Sequence, residues 1–501
     1  MSPVRTFFVV SLMLVAPGLI AQEGQRSIEA GASAQDGVTT QQTVVVKDEK
    51  PPPPAGVFRA AGDLDVVVPG RLYDHVLARD GGKRYVVMLI GEPPAQADES
   101  GEKDGKKTRR VVAVDLAGDA LITLHDELPE HTRMLYRRDV DGDGNDELFA
   151  LRRGALDALG TVTTPARRLT LDLPGADPRG EPRTGLGTTA PEGAPLIVGA
   201  SGRLWLIEPV DGRLQVTGEH ALPTEARRRR GGIELTSPKL TTIWRADGSP
   251  LIAAGPISDG RQRLKTVLID PSAPEDERRS EIFSLLPGAE RVEESWYGLF
   301  AGRPRLLVTT TDAERIGIFD DKTVRLFPLL GDRTRAGRSP SLKAQTEVKR
   351  WNDLRPAIAD VNRDGKDDLL LMQQADLSGN DLLVEAYLGK GTGRYEPRTR
   401  KSELDDADHV RLVGDLDGDG HGDLLEHRSG ALVLHRGVDH RRRVVDKKPG
   451  WTRRLDDLAR GTGSPYYTYF TIIDLDRRAL LMTRRNDRGH GRVRIVTMDG
   501  P

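Results

Sequence analysis

The chain has 501 residues, of which 37% are hydrophobic and 30% charged, and its mean hydropathy of −0.46 excludes a multi-span membrane protein. Seventy-four Lys and Arg residues balance 76 Asp and Glu residues, so a formal charge of −2 provides no global basic field for nucleic acid. The absence of cysteine excludes disulfides, thiol catalysis and cysteine-based metal centres. Glycine and proline make up about 17% of the chain, which favours many short strands joined by turns.

Residues 1–21 have the pattern of a secretory signal peptide. Arg5 supplies a positive charge, residues 7–16 form an apolar run, and Ala16 and Ala21 are small residues suited to cleavage. A membrane anchor is the alternative, but it needs about 20 apolar residues, and Pro17 interrupts this run. We therefore expect an exported protein, periplasmic, cell-surface or secreted, with no transmembrane segment after cleavage. Residues 22–56 are polar and end near four consecutive prolines, which predicts a disordered linker.

An internal repeat organises residues 57–501. Three segments align without gaps: 139–148 (DVDGDGNDEL), 360–369 (DVNRDGKDDL) and 415–424 (DLDGDGHGDL). Their first residues are 221 and 55 positions apart, which fits a repeat of about 55 residues. Short apolar runs continue this spacing near Tyr85, Pro195, Pro250, Pro304 and Ala479. The sequence therefore predicts eight units.

A unit of this length accommodates four short antiparallel strands, as in a propeller blade. We predict an all-β fold, an eight-bladed β-propeller, with a seven-bladed ring or a row of unrelated β domains as alternatives. The last unit contains only three predicted strands, at 469–474, 479–484 and 492–498. Residues 64–68 (LDVVV) can supply the missing outer strand, so we expect an N-terminal strand to close the ring.

The three acidic segments predict cation sites. Each nine-residue loop has oxygen-bearing side chains at positions 1, 3, 5 and 9, a glycine at position 6, and a carbonyl available at position 7. Hard oxygen ligands without His or Cys side chains favour Ca²⁺, giving about three sites. The predicted ligands are Asp139, Asp141, Asp143, the Asn145 carbonyl and Glu147; Asp360, Asn362, Asp364, the Lys366 carbonyl and Asp368; and Asp415, Asp417, Asp419, the His421 carbonyl and Asp423. Solvated turns without metal are the alternative.

One of these loops, 415–426, also satisfies the EF-hand pattern, with Glu426 at position 12. An EF-hand requires flanking amphipathic helices, whereas short apolar pieces and turns flank this loop. The other two loops have Ala150 and Leu371 at position 12, so we assign the last ligand to position 9. In the last unit, Asp474 and Asp476 precede two arginines, and we expect no metal there.

These loops, D-x-[DN]-x-D-G-x-x-[DE]-L, resemble the FG-GAP/VCBS repeats of integrin-α-like propellers and of many secreted bacterial proteins. The resemblance is strong in three units and weak in five, and Glu147 departs from the usual Asp. It implies calcium loops between neighbouring strands of a blade. It implies no single function, since such propellers occur in adhesins, glycan-binding proteins and some polysaccharide lyases.

No catalytic residue can be assigned, because the chain has no G-x-S-x-G elbow, H-E-x-x-H pair or P-loop. Candidate glycan contacts are the arginines at 227–230, those at 441–443 with Lys447 and Lys448, the aromatic residues at 466–470, and Trp244, Trp296 and Trp351. Solvated loops and core packing are the simpler explanations. We predict a calcium-stabilised binding or adhesion module for a glycan or an extracellular protein. The alternative is a calcium-dependent polysaccharide lyase, in which a Tyr, His or basic side chain in the central funnel takes a proton beside a uronate carboxylate.

Overall fold

The computed structural model describes most of residues 56–497. The described ranges are 56–60, 63–91, 108–118, 120–166, 169–176, 182–191, 193–200, 202–223, 225–229, 232–236, 239–258, 263–286, 290–312, 323–329, 342–345, 354–374, 381–391, 394–405, 407, 410–428, 431–454, 469–474, 478–487 and 490–497. Regular structure in these ranges consists entirely of β-strands. None of their segments forms a helix that could cross a membrane. The predicted signal peptide, and the predicted linker up to residue 55, lie outside the described residues.

The strands form eight antiparallel blades, as the repeat spacing predicts. Two N-terminal strands come first, β1 (Gly56–Ala60) and β2 (Asp63–Pro69). Blade 1 contains β3 (Leu72–Asp80), β4 (Lys83–Gly91), β5 (Arg109–Asp115) and β6 (Leu121–Leu128). Blade 2 contains β7 (Met134–Arg138), β8 (Glu147–Arg152), β9 (Ala155–Gly160) and β10 (Thr170–Asp172). The short β11 (Arg183–Thr184) precedes blade 3, which contains β12 (Leu196–Ala200), β13 (Arg203–Val210) and β14 (Arg213–Ala221).

A separate hairpin, β15 (Glu225–Arg229) and β16 (Gly232–Thr236), connects blade 3 to blade 4. Blade 4 contains β17 (Leu240–Trp244), β18 (Pro250–Ser258), β19 (Arg263–Ile269) and β20 (Arg279–Leu285). Blade 5 contains β21 (Glu290–Phe300), β22 (Arg303–Asp312), β23 (Thr323–Pro328) and β24 (Leu342–Gln345). Blade 6 contains β25 (Arg355–Ala359), β26 (Asp368–Gln374), β27 (Leu382–Gly389) and β28 (Tyr395–Leu404). Blade 7 contains β29 (Arg411–Gly414), β30 (Asp423–Arg428), β31 (Ala431–His435) and β32 (Trp451–Arg454). Blade 8 contains β33 (Tyr469–Asp474), β34 (Arg478–Asp487) and β35 (His490–Thr497).

The hydrophobic core is divided among the contacts between consecutive blades. In β4, Val86 and Met88 pack toward blade 8, whereas Val87 and Leu89 pack toward blade 2. This alternation is the period of two that places successive strand side chains on opposite faces of a sheet, here with both faces buried. Each pair of neighbouring blades shares one such cluster among the described residues, including blades 8 and 1. A core between the last and first blades closes the ring and excludes a row of separate β domains.

The N-terminal strand completes blade 8, as the sequence predicts. Strand β2 pairs antiparallel with β35, with Val66 opposite Val493, and β1 adds a fifth strand outside it. Two acidic residues of β2 bind arginines. Asp65 accepts a hydrogen bond from Arg492 Nε at 2.7 Å, and the buried Asp63 lies 3.2 Å from Arg453 Nη2 and 3.6 Å from Arg494 Nη2. Apolar side chains and ion pairs therefore both fix the closing strand.

Blade 3 departs from the predicted four strands, because its innermost strand is missing from the described residues. Pro195 begins the apolar run of this unit, so β12 corresponds to the second strand of the other blades. The segment before β12 does not pair with blade 3. Its strand β11 pairs in parallel with β17, the innermost strand of blade 4. Leu186 then forms a parallel bridge with Gly298 of blade 5. The segment 183–187 therefore runs along the channel-facing edges of blades 4 and 5.

Candidate functional site

The three acidic loops lie on one face of the ring. Acidic loop 1 (139–147) follows β7, acidic loop 2 (360–368) follows β25, and acidic loop 3 (415–423) follows β29. Each loop therefore connects the innermost strand of a blade to the second strand, in blades 2, 6 and 7. Because equivalent connections in a propeller emerge on the same side, all three loops belong to one face.

Acidic loop 1 brings three carboxylates together. One oxygen each from Asp139, Asp141 and Glu147 lie within 4.8 Å of one another. Backbone amides hold this arrangement: Gly142 and Gly144 donate to Asp139 at 2.8 and 3.0 Å, and Val140 donates to Glu147 at 2.9 Å. Convergent hard oxygen ligands on a turn of this kind fit a divalent cation such as Ca²⁺. Glu147 thus takes the position that an Asp has in the other two loops.

Acidic loop 3 also gathers three carboxylates, but a different set. Oxygens of Asp415, Asp417 and Asp419 lie within 4.8 Å of one another, whereas Asp423 is not part of this group. Arginines from three parts of the ring neutralise them. The ion pairs are Arg478–Asp415 at 3.0 Å, Arg436–Asp417 at 2.8 Å and Arg363–Asp419 at 3.6 Å. A cation in this loop would therefore share its ligands with guanidinium groups.

Acidic loop 2 has the same backbone framework with fewer acidic groups. Asp360 accepts hydrogen bonds from the Asp364 and Gly365 amides at 3.1 and 2.8 Å. Asn362 replaces the aspartate of position 3, and its amide nitrogen, in the orientation that satisfies both neighbours, donates to Asp360 and Asp364 at 3.0 and 3.2 Å. Lys366 Nζ lies 2.9 Å from Asp364. Bringing all four side chains onto one cation would require the Asn362 amide to turn its oxygen inward.

The ninth position of loops 2 and 3 is a buried carboxylate. Asp368 accepts hydrogen bonds from Val361 and Gly389 at 3.0 and 2.7 Å. Asp423 accepts from Leu416 and Gly437 at 2.8 and 3.0 Å. Burial raises the pKa of each carboxyl to about 6, and these backbone hydrogen bonds partly oppose that effect. Asp368 therefore ties its loop to the last residue of β27, and Asp423 ties its loop to the segment just after β31.

A cavity lies on the same face, beside blade 3, whose described residues contain no innermost strand. Its volume is about 750 Å³, and it lies between β7 of blade 2 and β17 of blade 4. Three arginines, Arg79, Arg137 and Arg138, line it together with Tyr136 and Trp244. Asp139 of acidic loop 1 also lines the cavity. A second cavity of about 280 Å³ shares Arg79 and Arg137 and extends toward blade 8.

Arg137 forms an ion pair, whereas Arg138 bonds to backbone carbonyl groups. Arg137 Nη1 pairs with Asp146 at 2.9 Å, which leaves its other nitrogens available. Arg138 donates to the backbone carbonyls of Gly193 and Ala194 and forms no ion pair among the described residues. Burial lowers the pKa of Arg138, and the charge of Glu208 opposes this effect. The two carbonyl bonds fix the guanidinium in the cavity wall without neutralising its charge.

Sequence reasoning missed these cavity arginines. Their position next to a predicted cation site could have indicated them, since Arg137 and Arg138 directly precede acidic loop 1. The predicted glycan contacts are distributed differently. Trp244 lines the cavity and is 6% exposed, and Trp296 packs between blades 5 and 6. Residues 441–443 are exposed, and residues 227–229 lie in the hairpin β15–β16. Residues 230, 351 and 466–468 lie outside the described residues.

Residues 360–426 match the family model of the FG-GAP-like repeat. This segment contains acidic loops 2 and 3, and it confirms the FG-GAP-like repeat predicted from the sequence. The comparison with curated proteins found no match.

Solved structures of similar fold include Sqt1 of Saccharomyces cerevisiae, which is 8% identical with a TM-score of 0.45 over 86% of this chain and 97% of that chain. The polysaccharide lyase Uly1 is 8% identical, with a TM-score of 0.35 over 89% of this chain and 90% of that chain. The biofilm matrix protein Bap1 of V. cholerae is 10% identical, with a TM-score of 0.33 over 87% of this chain and 89% of that chain. At these identities the similarities carry no inference about a ligand or an activity.

Proposed function

We propose that this protein is an exported, calcium-stabilised propeller that binds an acidic carbohydrate on the face of its acidic loops. The observation that carries the proposal is the cavity beside blade 3. Three arginines and the first acidic loop converge on it. A cation bound in that loop would offset the charge of its carboxylates beside Arg138, whose own charge has no carboxylate partner among the described residues. The cavity therefore favours an anionic ligand.

The lining of the cavity also suits a sugar ring. Tyr136 and Trp244 contribute aromatic surface beside the arginines. Aromatic rings pack against the apolar faces of sugars, and arginine binds carboxylate groups through paired hydrogen bonds. The smaller cavity shares Arg79 and Arg137 with the larger one, so the two are neighbours along the ring. An extended acidic polysaccharide fits this arrangement better than a single small sugar.

A lyase reaction is a second candidate, and Tyr136 is the observation that favours it. This phenol lines the same cavity as Arg137 and Arg138. In a lyase, the arginines would bind the uronate carboxylate and lower the pKa of the adjacent C5–H group. Tyr136, in its phenolate form, would take that proton. The freed electron pair would form the C4–C5 double bond as the C4–O bond breaks, and the tyrosine would return the proton to the leaving glycosidic oxygen. Absorbance of the unsaturated uronate product distinguishes this reaction from simple binding.

Binding and cleavage are tested together by adding a panel of polyuronates to the calcium-loaded protein. We expect an acidic glycan to bind by titration calorimetry, and Arg138→Gln to weaken it about tenfold or more through loss of a charge-assisted contact. Arg138→Lys keeps the charge and should retain part of the affinity. Arg213→Gln, an exposed arginine of blade 3, is the matched control. Equal affinity of the wild type and Arg138→Gln, or binding only to a protein ligand, would reject an acidic carbohydrate in this cavity.

A further inference from the structure

Three arginines surround one tyrosine on the opposite face of the ring. The guanidinium carbon of Arg109 lies 3.8 Å from the centre of the Tyr73 ring, that of Arg133 lies 5.2 Å away and that of Arg71 lies 5.4 Å away. Each distance is within the range of cation–π attraction. Three positive charges therefore share a single aromatic ring, in a nearly neutral protein.

The positive charges of this cluster have no ion-pair partner among the described residues. Arg109 is 5% exposed, and its Nε atom has no hydrogen-bond partner. None of the three guanidinium groups donates a hydrogen bond or pairs with a carboxylate among the described residues. Burial lowers the pKa of Arg109, and the charges of Arg133 and Arg71 lower it further, whereas Tyr73 and Glu130 act in the opposite direction. A buried cation without a partner is costly, so a structure that retains one favours an anionic ligand.

The backbone leaves room for this arrangement. A side chain at Gly91 would place its Cβ 2.8 Å from Cε2 of Tyr73 and 2.9 Å from Nη1 of Arg109. Only glycine at this position lets the ring and the guanidinium stack at 3.8 Å. The glycine at the end of β4 therefore leaves space for the cluster.

The cluster is separate from the cavity of blade 3. Arg71 and Arg133 directly precede β3 and β7, the innermost strands of blades 1 and 2, and Arg109 begins β5, which runs parallel to β3. The acidic loops instead follow the ends of the innermost strands. The two sites therefore lie on opposite faces of the ring.

We propose that Arg71, Arg109 and Arg133 form a binding site for a sulfate or phosphate group. Each guanidinium presents several N–H donors, and the tetrahedral oxyanions offer three or four oxygens to accept them. A single carboxylate offers only two oxygens and one charge. Arg71 is exposed and Arg133 is half-buried, so an oxyanion can approach them from solvent while Arg109 lies beneath. Sulfated saccharides and phosphorylated molecules both present this chemistry.

The test is titration calorimetry of the full chain with a monosaccharide sulfate and with the matching monosaccharide phosphate. We expect one or both to bind, and the double variant Arg71→Gln/Arg133→Gln to lose at least tenfold in affinity. Both positions are accessible to solvent, so the double variant should fold, which its melting temperature verifies. Arg213→Gln should leave the affinity unchanged.

The relative affinity for the two probes identifies the natural group as sulfate or phosphate. Inorganic sulfate against chloride at equal ionic strength gives a second readout by thermal melting. Because sulfate also stabilises proteins by exclusion from their surface, the informative quantity is the difference between the wild type and the double variant. Failure of both probes to bind the wild type, or equal binding to the double variant, would overturn the site.

Discussion

Asp368 and Asp423 each accept backbone hydrogen bonds from two parts of their blade while lying buried. Since burial raises the pKa of both carboxyls to about 6, each takes up a proton between pH 7 and pH 5 without calcium. The folded state then holds this proton more tightly than the unfolded chain. The contribution of each group to the unfolding free energy should therefore rise, by up to about 3 kcal/mol, as the pH falls toward 4.

Carbon-13 NMR of the labelled aspartate carboxyls in EDTA measures these titrations directly. We expect both midpoints near pH 6. Adding calcium should move the midpoints of Asp368 and Asp423 downward, because a bound cation favours the charged form. Midpoints below pH 4.5 in EDTA would contradict the role assigned to burial.

Some contacts of the acidic loops could be predicted from the sequence, and others could not. The acidic loops could be predicted because all their side chains lie within nine consecutive residues. The ion pairs of acidic loop 3 could not, since Arg363 comes from acidic loop 2 and Arg478 from blade 8. The packing of blades 6 and 8 on either side of blade 7 brings these arginines beside Asp415 and Asp419. Contacts between blades depend on registers that the sequence alone does not determine.

Among the elements, the closing strand β2 depends on a buried acid as well as on its apolar side chains. Asp63 is 4% exposed and lies between Arg453 of blade 7 and Arg494 of blade 8. Asp63→Asn keeps the shape but leaves two partly buried guanidinium groups without their partner. We expect a loss of about 3 kcal/mol of unfolding free energy. Calorimetry should show a lower melting temperature, whereas Asp172→Asn, on an exposed strand, should behave as the wild type.

The repeat length predicted the number of blades, and the apolar run at 64–68 predicted the closing strand. Neither feature predicted that the described residues of blade 3 contain no innermost strand. The local sequence in that region is rich in Gly and Pro, and the fate of residues 183–187 is decided by distant partners in blades 4 and 5. A pattern of alternating side chains indicates that a strand forms, but not which open edge it joins.

The displaced segment can be tested at Gly187, whose φ of +67° is left-handed. A Cβ there would lie 2.9 Å from the Leu299 carbonyl oxygen and 2.9 Å from Ile358 Cγ2. Gly212 has a similar φ of +69° but open space around it. Both alanine variants incur about 1 kcal/mol for the backbone conformation, and Gly187→Ala should lose at least about 1 kcal/mol more through the clash. Equal losses of unfolding free energy in urea would show that the segment does not pack into the channel.

At the scale of the whole molecule, the acidic loops concentrate negative charge on one face in blades 2, 6 and 7. Without a cation, the carboxylates of acidic loop 1 repel one another within 4.8 Å, and the pairs of acidic loop 3 with arginines offset only part of that charge. Calcium that binds the native loops but not the unfolded chain should raise the melting temperature. At a free concentration of one hundred times the dissociation constant, each independent site adds about 2.7 kcal/mol to the unfolding free energy.

Differential scanning calorimetry in EDTA and in millimolar Ca²⁺ measures this gain, and titration calorimetry counts the sites. Asp139→Ala, Asp360→Ala and Asp415→Ala should each lower the stoichiometry by one, because the first carboxylate of each loop anchors its backbone turn. Asp172→Ala should leave it unchanged. Mg²⁺ should stabilise less, since flexible carboxylate loops suit the larger ion and Mg²⁺ loses its water reluctantly. Identical melting temperatures in EDTA and calcium would show that hydrogen bonds and ion pairs alone hold the acidic loops.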